Sequence, residues 1–92
     1  MPTMTDRAQT ILVVEDDPAV GEALVEGIGT EGYRVHWETT GEGGVAFARD
    51  RSPHLVVLDV RLPDGNGFDV CRRMRQLGLR QPILMLTVQS DQ

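Results

Sequence analysis

Ninety-two residues, 40% of them apolar, and a formal charge of −5 allow one domain with a single core and exclude two. The acidic balance argues against generic binding to nucleic acid or to an anionic membrane. A single cysteine, Cys71, excludes an internal disulfide. Residues 1–9 form a polar leader, expected to be flexible and lacking the apolar segment of a signal peptide, and no later run approaches membrane-spanning length. A cytoplasmic protein with no membrane partner is the expectation. All nine basic residues are arginine.

Thr10-Ile-Leu-Val-Val14 reads as a strand buried on both faces, and it ends on three acids, Glu15, Asp16 and Asp17. Asp17-Pro18 is a helix start, with Asp as cap and Pro where its missing N–H costs nothing. Val20, Leu24 and Ile28 recur at i, i+4, i+8, which predicts an amphipathic helix ended by Gly29 or Gly32. Gly21 and Gly27 weaken it by about 1 kcal/mol each relative to Ala. Tyr33 to Trp37 alternates apolar and polar residues, as expected of an edge strand. Thr39 or Thr40 caps a short helix over residues 43–50, and Ser52-Pro53 breaks the chain.

Leu55 to Leu58 is a second buried-strand run, ending abruptly on Asp59. Pro63 to Gly67 predicts a turn. Asn66 and Asp69 resemble a capping box for a helix whose apolar face carries Phe68, Val70, Cys71, Met74 and Leu77 before Gly78. Pro82 to Leu86 is a third buried-strand run and closes on Thr87. The order is β-α-β-α-β-α-β, an α/β fold with a parallel sheet.

Three apolar strands ending on Glu15-Asp16, Asp59 and Thr87 place acids and a hydroxyl where open α/β sheets bind ligands, outside the carboxyl ends of the strands. Two carboxylates about 6 Å apart repel by about 0.7 kcal/mol in water and about 3 kcal/mol at an effective dielectric of 20. A hard divalent cation would offset that cost, and magnesium suits carboxylates, a carbonyl, waters and a phosphate. A carboxylate beside such a cation is a competent nucleophile toward phosphorus.

At this point the chain resembles the receiver domain of two-component response regulators. Ile11-Leu-Val-Val-Glu-Asp-Asp-Pro18 is similar to that family's first strand and acidic pair, Leu58-Asp-Val-Arg-Leu-Pro-Asp-Gly-Asn-Gly67 to its phosphoacceptor strand and following loop, and Pro82-Ile-Leu-Met-Leu-Thr87 to its fourth strand and hydroxyl residue. The resemblance implies a flavodoxin-like sheet of order 2-1-3-4 and a signalling domain, not an enzyme. It implies that Asp59 accepts a phosphoryl group from a histidine kinase, and that Mg²⁺ is held by Asp16, by Glu15 directly or through water, by Asp59 and by the backbone carbonyl of Arg61. Thr87 would contact the phosphoryl group and act as the switch. The phrase from Leu62 to Arg73 is similar to receivers attached to DNA-binding output domains, so transcription regulation is the implied setting.

The chain departs from the family in two places. It ends before the fifth strand, whose lysine pairs with the phosphoryl group, and it contains no lysine. It therefore reads as a single receiver domain over residues 1–92, truncated before the fifth strand and last helices. Good Mg²⁺ binding, poor phosphorylation and homodimerisation through the exposed fourth strand or a bare sheet face are expected. Val88 stands where the family more often has Ala or Gly. A pseudo-receiver, an interaction module without phosphotransfer, is the alternative. Gly41-Glu-Gly-Gly-Val-Ala46 fits the G-x-G-x-x-A dinucleotide fingerprint, but the alternating strand before it and the intervening Glu38 to Thr40 argue against that reading. A phosphatase with an aspartate nucleophile usually has a second acid two residues on, where this chain has Arg61. Arg72, Arg73, Arg75 and Arg80 read as a solvated face, His36 and His54 as structural, Cys71 as core, and Trp37 as an edge cover.

Overall fold

The computed structural model describes residues 8–87. Residues 1–7 of the leader and Val88 lie outside the described residues. The elements, in chain order, are β1 (Thr10–Val14), α1 (Pro18–Thr30), β2 (Arg34–Glu38), α2 (Gly41–Arg51), β3 (Leu55–Asp59), β4 (Arg61–Leu62), β5 (Gly65–Asn66), α3 (Gly67–Gln76) and β6 (Ile83–Leu86). Four strands form one parallel sheet of order β2-β1-β3-β6, the arrangement expected with β6 as the fourth long strand. The fold is flavodoxin-like, with helices on both faces.

The period-two alternation of a strand divides the core into two layers. Leu12, Val14, Val56 and Leu58 point to the α2 and α3 side, where Val45, Ala48, Val70 and Met74 meet them. Ile11, Val13 and Val57 point the other way, against Leu24 and Ile28 of α1. Leu12 and Leu58 are fully buried, each stabilising the fold by about 2 kcal/mol. Among the described residues no helix is long and apolar enough to cross a membrane.

Asp17 caps α1 through its side chain, which accepts from the Ala19 and Val20 amides, and Pro18 begins the helix. The helix ends at Thr30, and Gly32, at φ +98°, turns the chain toward β2. Of the two candidate caps for α2, Thr40 is the one used: its hydroxyl accepts from the Gly43 amide at 3.0 Å. The helix begins at Gly41, two residues before the expected start, because a distant side chain supplies further N-terminal acceptors. Asp64 accepts from the Gly41 amide at 2.8 Å and from the Glu42 amide at 2.9 Å.

The expected turn from Pro63 to Gly67 is a small antiparallel hairpin, β4 against β5. Its two-residue strands are too short to show a periodicity. Asn66 caps α3 as expected, accepting from the Phe68 amide at 2.7 Å. The reciprocal half of the capping box does not form, because Asp69 pairs with Arg72 instead. Phe68 and Leu77, assigned to the apolar face of α3, lie at its two ends and are exposed; Val70 and Met74 make the buried stripe.

The glycine-rich start of α2 has a packing explanation in place of a dinucleotide one. A Cβ on Gly44 would sit 2.6 Å from a Val14 methyl, and one on Gly41 would sit 2.7 Å from a Val70 methyl. These glycines let α2 lie close on the sheet and on α3.

Candidate functional site

The carboxyl ends of β1, β3 and β6 open into a concavity of about 530 Å³ lined by Glu15, Asp16, Asp17, Asp59, Arg61 and Thr87, with Val20, Val60, Leu62 and Pro63. The parallel register explains the convergence. Val14 pairs with Leu58, and Asp59 with Leu86, so the residues that follow these pairs emerge at the same edge. Carboxylate oxygens of Glu15, Asp16 and Asp59 all lie within 4.8 Å of one another.

The three acids differ in setting. Asp16 is exposed, whereas Glu15 and Asp59 are only 2% and 7% exposed. Glu15 accepts from the Asp17 amide through Oε2 at 3.0 Å, while Oε1 is buried with no partner among the described residues. Burial lifts the Glu15 carboxyl above the ordinary glutamate range; the Asp17 N–H works against that, and the neighbouring Asp59 and Asp16 push it further up. Asp59 accepts a long contact, 3.4 Å, from the Arg61 amide. Asp17 lines the same space, but its carboxylate is committed to capping α1.

A buried carboxylate oxygen without a partner, in a cluster that holds three mutually repelling acids, suits a cation with oxygen ligands. The donor set is all oxygen and contains no thiol or imidazole, so it favours a hard ion over zinc or copper. The residues present therefore fit magnesium. Thr87 is exposed at the end of β6, on the rim of the concavity.

Two residues that hold this site, and a third that ties its following loop to α2, were not singled out from the sequence as doing so. Trp37 was assigned to cover an edge, yet its indole N–H donates to the Glu15 carbonyl at 2.8 Å. Gly67 lies against the Asp59 backbone: a Cβ there would collide with the Asp59 carbonyl, and the Gly67 amide donates to the Val60 carbonyl at 2.7 Å. Asp64 belongs to the loop after Asp59 but reaches α2. A glycine inside a helix is the one signal the sequence carried, since it marks close approach; Gly21 of α1 makes room for the Trp37 ring.

The remaining candidates stay outside the site. His36 stacks on Phe47 with centroids 3.8 Å apart and bonds Glu38 at 2.6 Å. His54 takes the Thr10 amide at 3.0 Å at the opposite end of the strands. Arg72, Arg73, Arg75 and Arg80 are exposed. Cys71 is a half-buried free thiol packed against the core.

Comparison with known proteins agrees with this geometry. Residues 11–92 match the response regulator receiver domain family. The transcriptional regulatory protein AfsQ1 of Streptomyces coelicolor is 42% identical over 82 residues, which cover 89% of this chain and 36% of that protein. The alkaline phosphatase synthesis transcriptional regulatory protein PhoP of Bacillus subtilis is 39% identical over 82 residues, covering 89% and 34%. The chain thus spans about a third of the length of these curated relatives. The non-phosphorylated HemR receiver domain of Leptospira biflexa superposes with a TM-score of 0.80 at 42% identity, over 91% of this chain and 68% of that one. A CheY-like receiver domain protein of Methanospirillum hungatei does so with a TM-score of 0.84 at 26% identity, over 91% and 67%. A match that runs from the first apolar strand through Gln92, on a fold shared with solved receivers, makes this chain a member of the response regulator receiver domain family.

Proposed function

We propose that the chain is a phosphoacceptor domain of cytoplasmic two-component signalling, with Asp59 as the accepting residue. The observation that carries this reading is the unpartnered, buried Glu15 Oε1 in an acid cluster within 4.8 Å that includes Asp59. Asp59 is the nucleophile and also a cation ligand, and Glu15 and Asp16 are the cluster's other ligands. An Asp59 oxygen attacks the phosphorus of a kinase phosphohistidine; the new O–P bond forms as the N–P bond breaks, and the imidazole nitrogen that leaves takes up a proton. Bound Mg²⁺ supplies charge neutralisation for the acids and for the phosphoryl oxygens. Asp16, Asp59 and the Arg61 carbonyl would hold it, and Glu15 would do so directly or through water. The Thr87 hydroxyl on the rim donates to a phosphoryl oxygen and relays the new charge to the surface around β6.

The partners follow from the same reading: a histidine kinase upstream and, in a longer protein like the transcriptional regulators matched above, a DNA-binding output domain. Intact mass after incubation with a small phosphodonor and Mg²⁺ tests the reading. The parent chain gains one phosphoryl group, and Asp59→Asn gains none. An unchanged parent mass would identify a pseudo-receiver that keeps the fold as an interaction module.

A further inference from the structure

Glu15 is pinned at nearly every polar atom, and one of its partners comes from outside the site. Its amide donates to the Glu38 carbonyl at 3.0 Å, its Oε2 takes the Asp17 amide at 3.0 Å, and its carbonyl takes the indole N–H of Trp37 at 2.8 Å. Only Oε1 is left for the cavity. Trp37 itself does not line that cavity. It stands opposite Val13 in the β1–β2 register, so its side chain lies on the α1 face of the sheet. There its ring fills the space a Cβ on Gly21 would take, and the N–H reaches over the end of β1.

From this we infer that Trp37 is a positioning residue for the acidic site. It ties the edge strand and α1 to the corner between β1 and α1, and so holds Glu15 with its free oxygen toward the other acids. A carbonyl at a chain corner that is not tied down is free to rotate with its peptide, and that rotation moves the Asp16 backbone and the Asp17 amide that holds the Glu15 carboxylate. Outer partners of this kind typically set metal affinity by tenfold or more without touching the ion. The effect on cation affinity rests on the metal-site reading above; the ordering of the corner does not.

Trp37 is the single tryptophan of the chain, so its indole can be replaced throughout by benzothiophene, which keeps the ring shape and puts sulfur where the N–H was. Two measurements then separate a positioning role from packing. Amide hydrogen exchange at Asp17 in metal-free protein is expected to accelerate about tenfold, while exchange at Val13 in the core of β1 stays as it was. Calorimetric Mg²⁺ titration is expected to give a dissociation constant about tenfold weaker. Gly21→Ala, which keeps the indole N–H but pushes the ring aside, is expected to show the same pair of changes.

Unchanged exchange at Asp17 in the isosteric protein, with only the melting temperature lowered, would overturn the inference and leave Trp37 a packing residue. Faster exchange with an unaltered Mg²⁺ constant would overturn its second half. A parent chain that binds no Mg²⁺ would remove the cation reading itself, and the exchange result would still decide whether Trp37 orders the corner.

Discussion

Glu15 shows how a single residue can oppose stability in the service of a site. Its carboxyl is raised above the ordinary value of 4.5, burial first among the causes. For an acid shifted in this direction, the stabilising form is the protonated one. Its contribution is fully present below the unfolded value and is lost as pH rises through the higher folded value. Metal-free protein should therefore lose stability as pH climbs from about 4.5 toward neutrality. Glu15→Gln removes the charge and keeps an oxygen for the Asp17 amide. In urea melts at neutral pH without metal, it is expected to be about 1 kcal/mol more stable than the parent, because it ends the like-charge repulsion of a buried carboxylate by Asp59 and Asp16. Mg²⁺ should reverse the ranking. At a hundred times its dissociation constant, a bound ligand adds about 2.7 kcal/mol to the parent, and the Gln variant, having lost a ligand, gains far less. A parent that melts identically with and without Mg²⁺ would contradict this account.

At the scale of elements, the hairpin of β4 and β5 joins the site to the rest of the fold, and its two ends should fail differently. Asp64 holds the N-terminus of α2, and the Gly41 and Glu42 N–H groups keep its carboxyl below the ordinary value of 3.8. A depressed acid stabilises above its unfolded pKa, and that contribution is lost as pH falls through the folded value, here below 3.8. Asp64→Ala is expected to cost about 1 kcal/mol, as loss of a helix cap does, and to leave Mg²⁺ affinity near the parent's. Gly67→Ala acts on the other end. Its new methyl meets the Asp59 carbonyl, a backbone group with no room to yield, so about 2 kcal/mol is expected to be lost as in overpacked sites. Asp59 shifts with it, and Mg²⁺ affinity falls. Chemical denaturation paired with Mg²⁺ titration distinguishes the two variants. This hairpin is also where the chain was least readable. The long strands and their parallel direction followed from apolar runs and helical crossovers, the order of the strands from the resemblance to receiver domains, and the acids at the strand ends from position. Pro63-Asp64-Gly65-Asn66 carries only turn chemistry, and nothing local says that Asp64 reaches a helix start twenty-three residues earlier. Trp37 was opaque for the same reason: an alternating strand reveals which face a residue takes, not which carbonyl its indole finds.

At the scale of the whole molecule, the two edges of the sheet differ. On β2, Trp37 lies against α1, and His36 stacks on Phe47 of α2. Among the described residues β6 pairs with β3 alone. Leu84 stands opposite Val57 in register, on the α1 side of the sheet, yet it is 57% exposed. It thus extends an apolar surface beyond the reach of α1, beside an open row of backbone donors and acceptors, which is a template for pairing with another chain. Concentration-dependent self-association is the expected outcome for this chain in sedimentation. A two-fold contact would bury Leu84 of each copy, at about 2 kcal/mol per side chain. Leu84→Glu then removes about 4 kcal/mol from association, close to a thousandfold in the dissociation constant. Because Leu84 contributes little to the core, the variant should keep the parent's melting temperature when dilute and remain a monomer when concentrated. Equal sedimentation of the two proteins at high concentration would place any association elsewhere than on this edge.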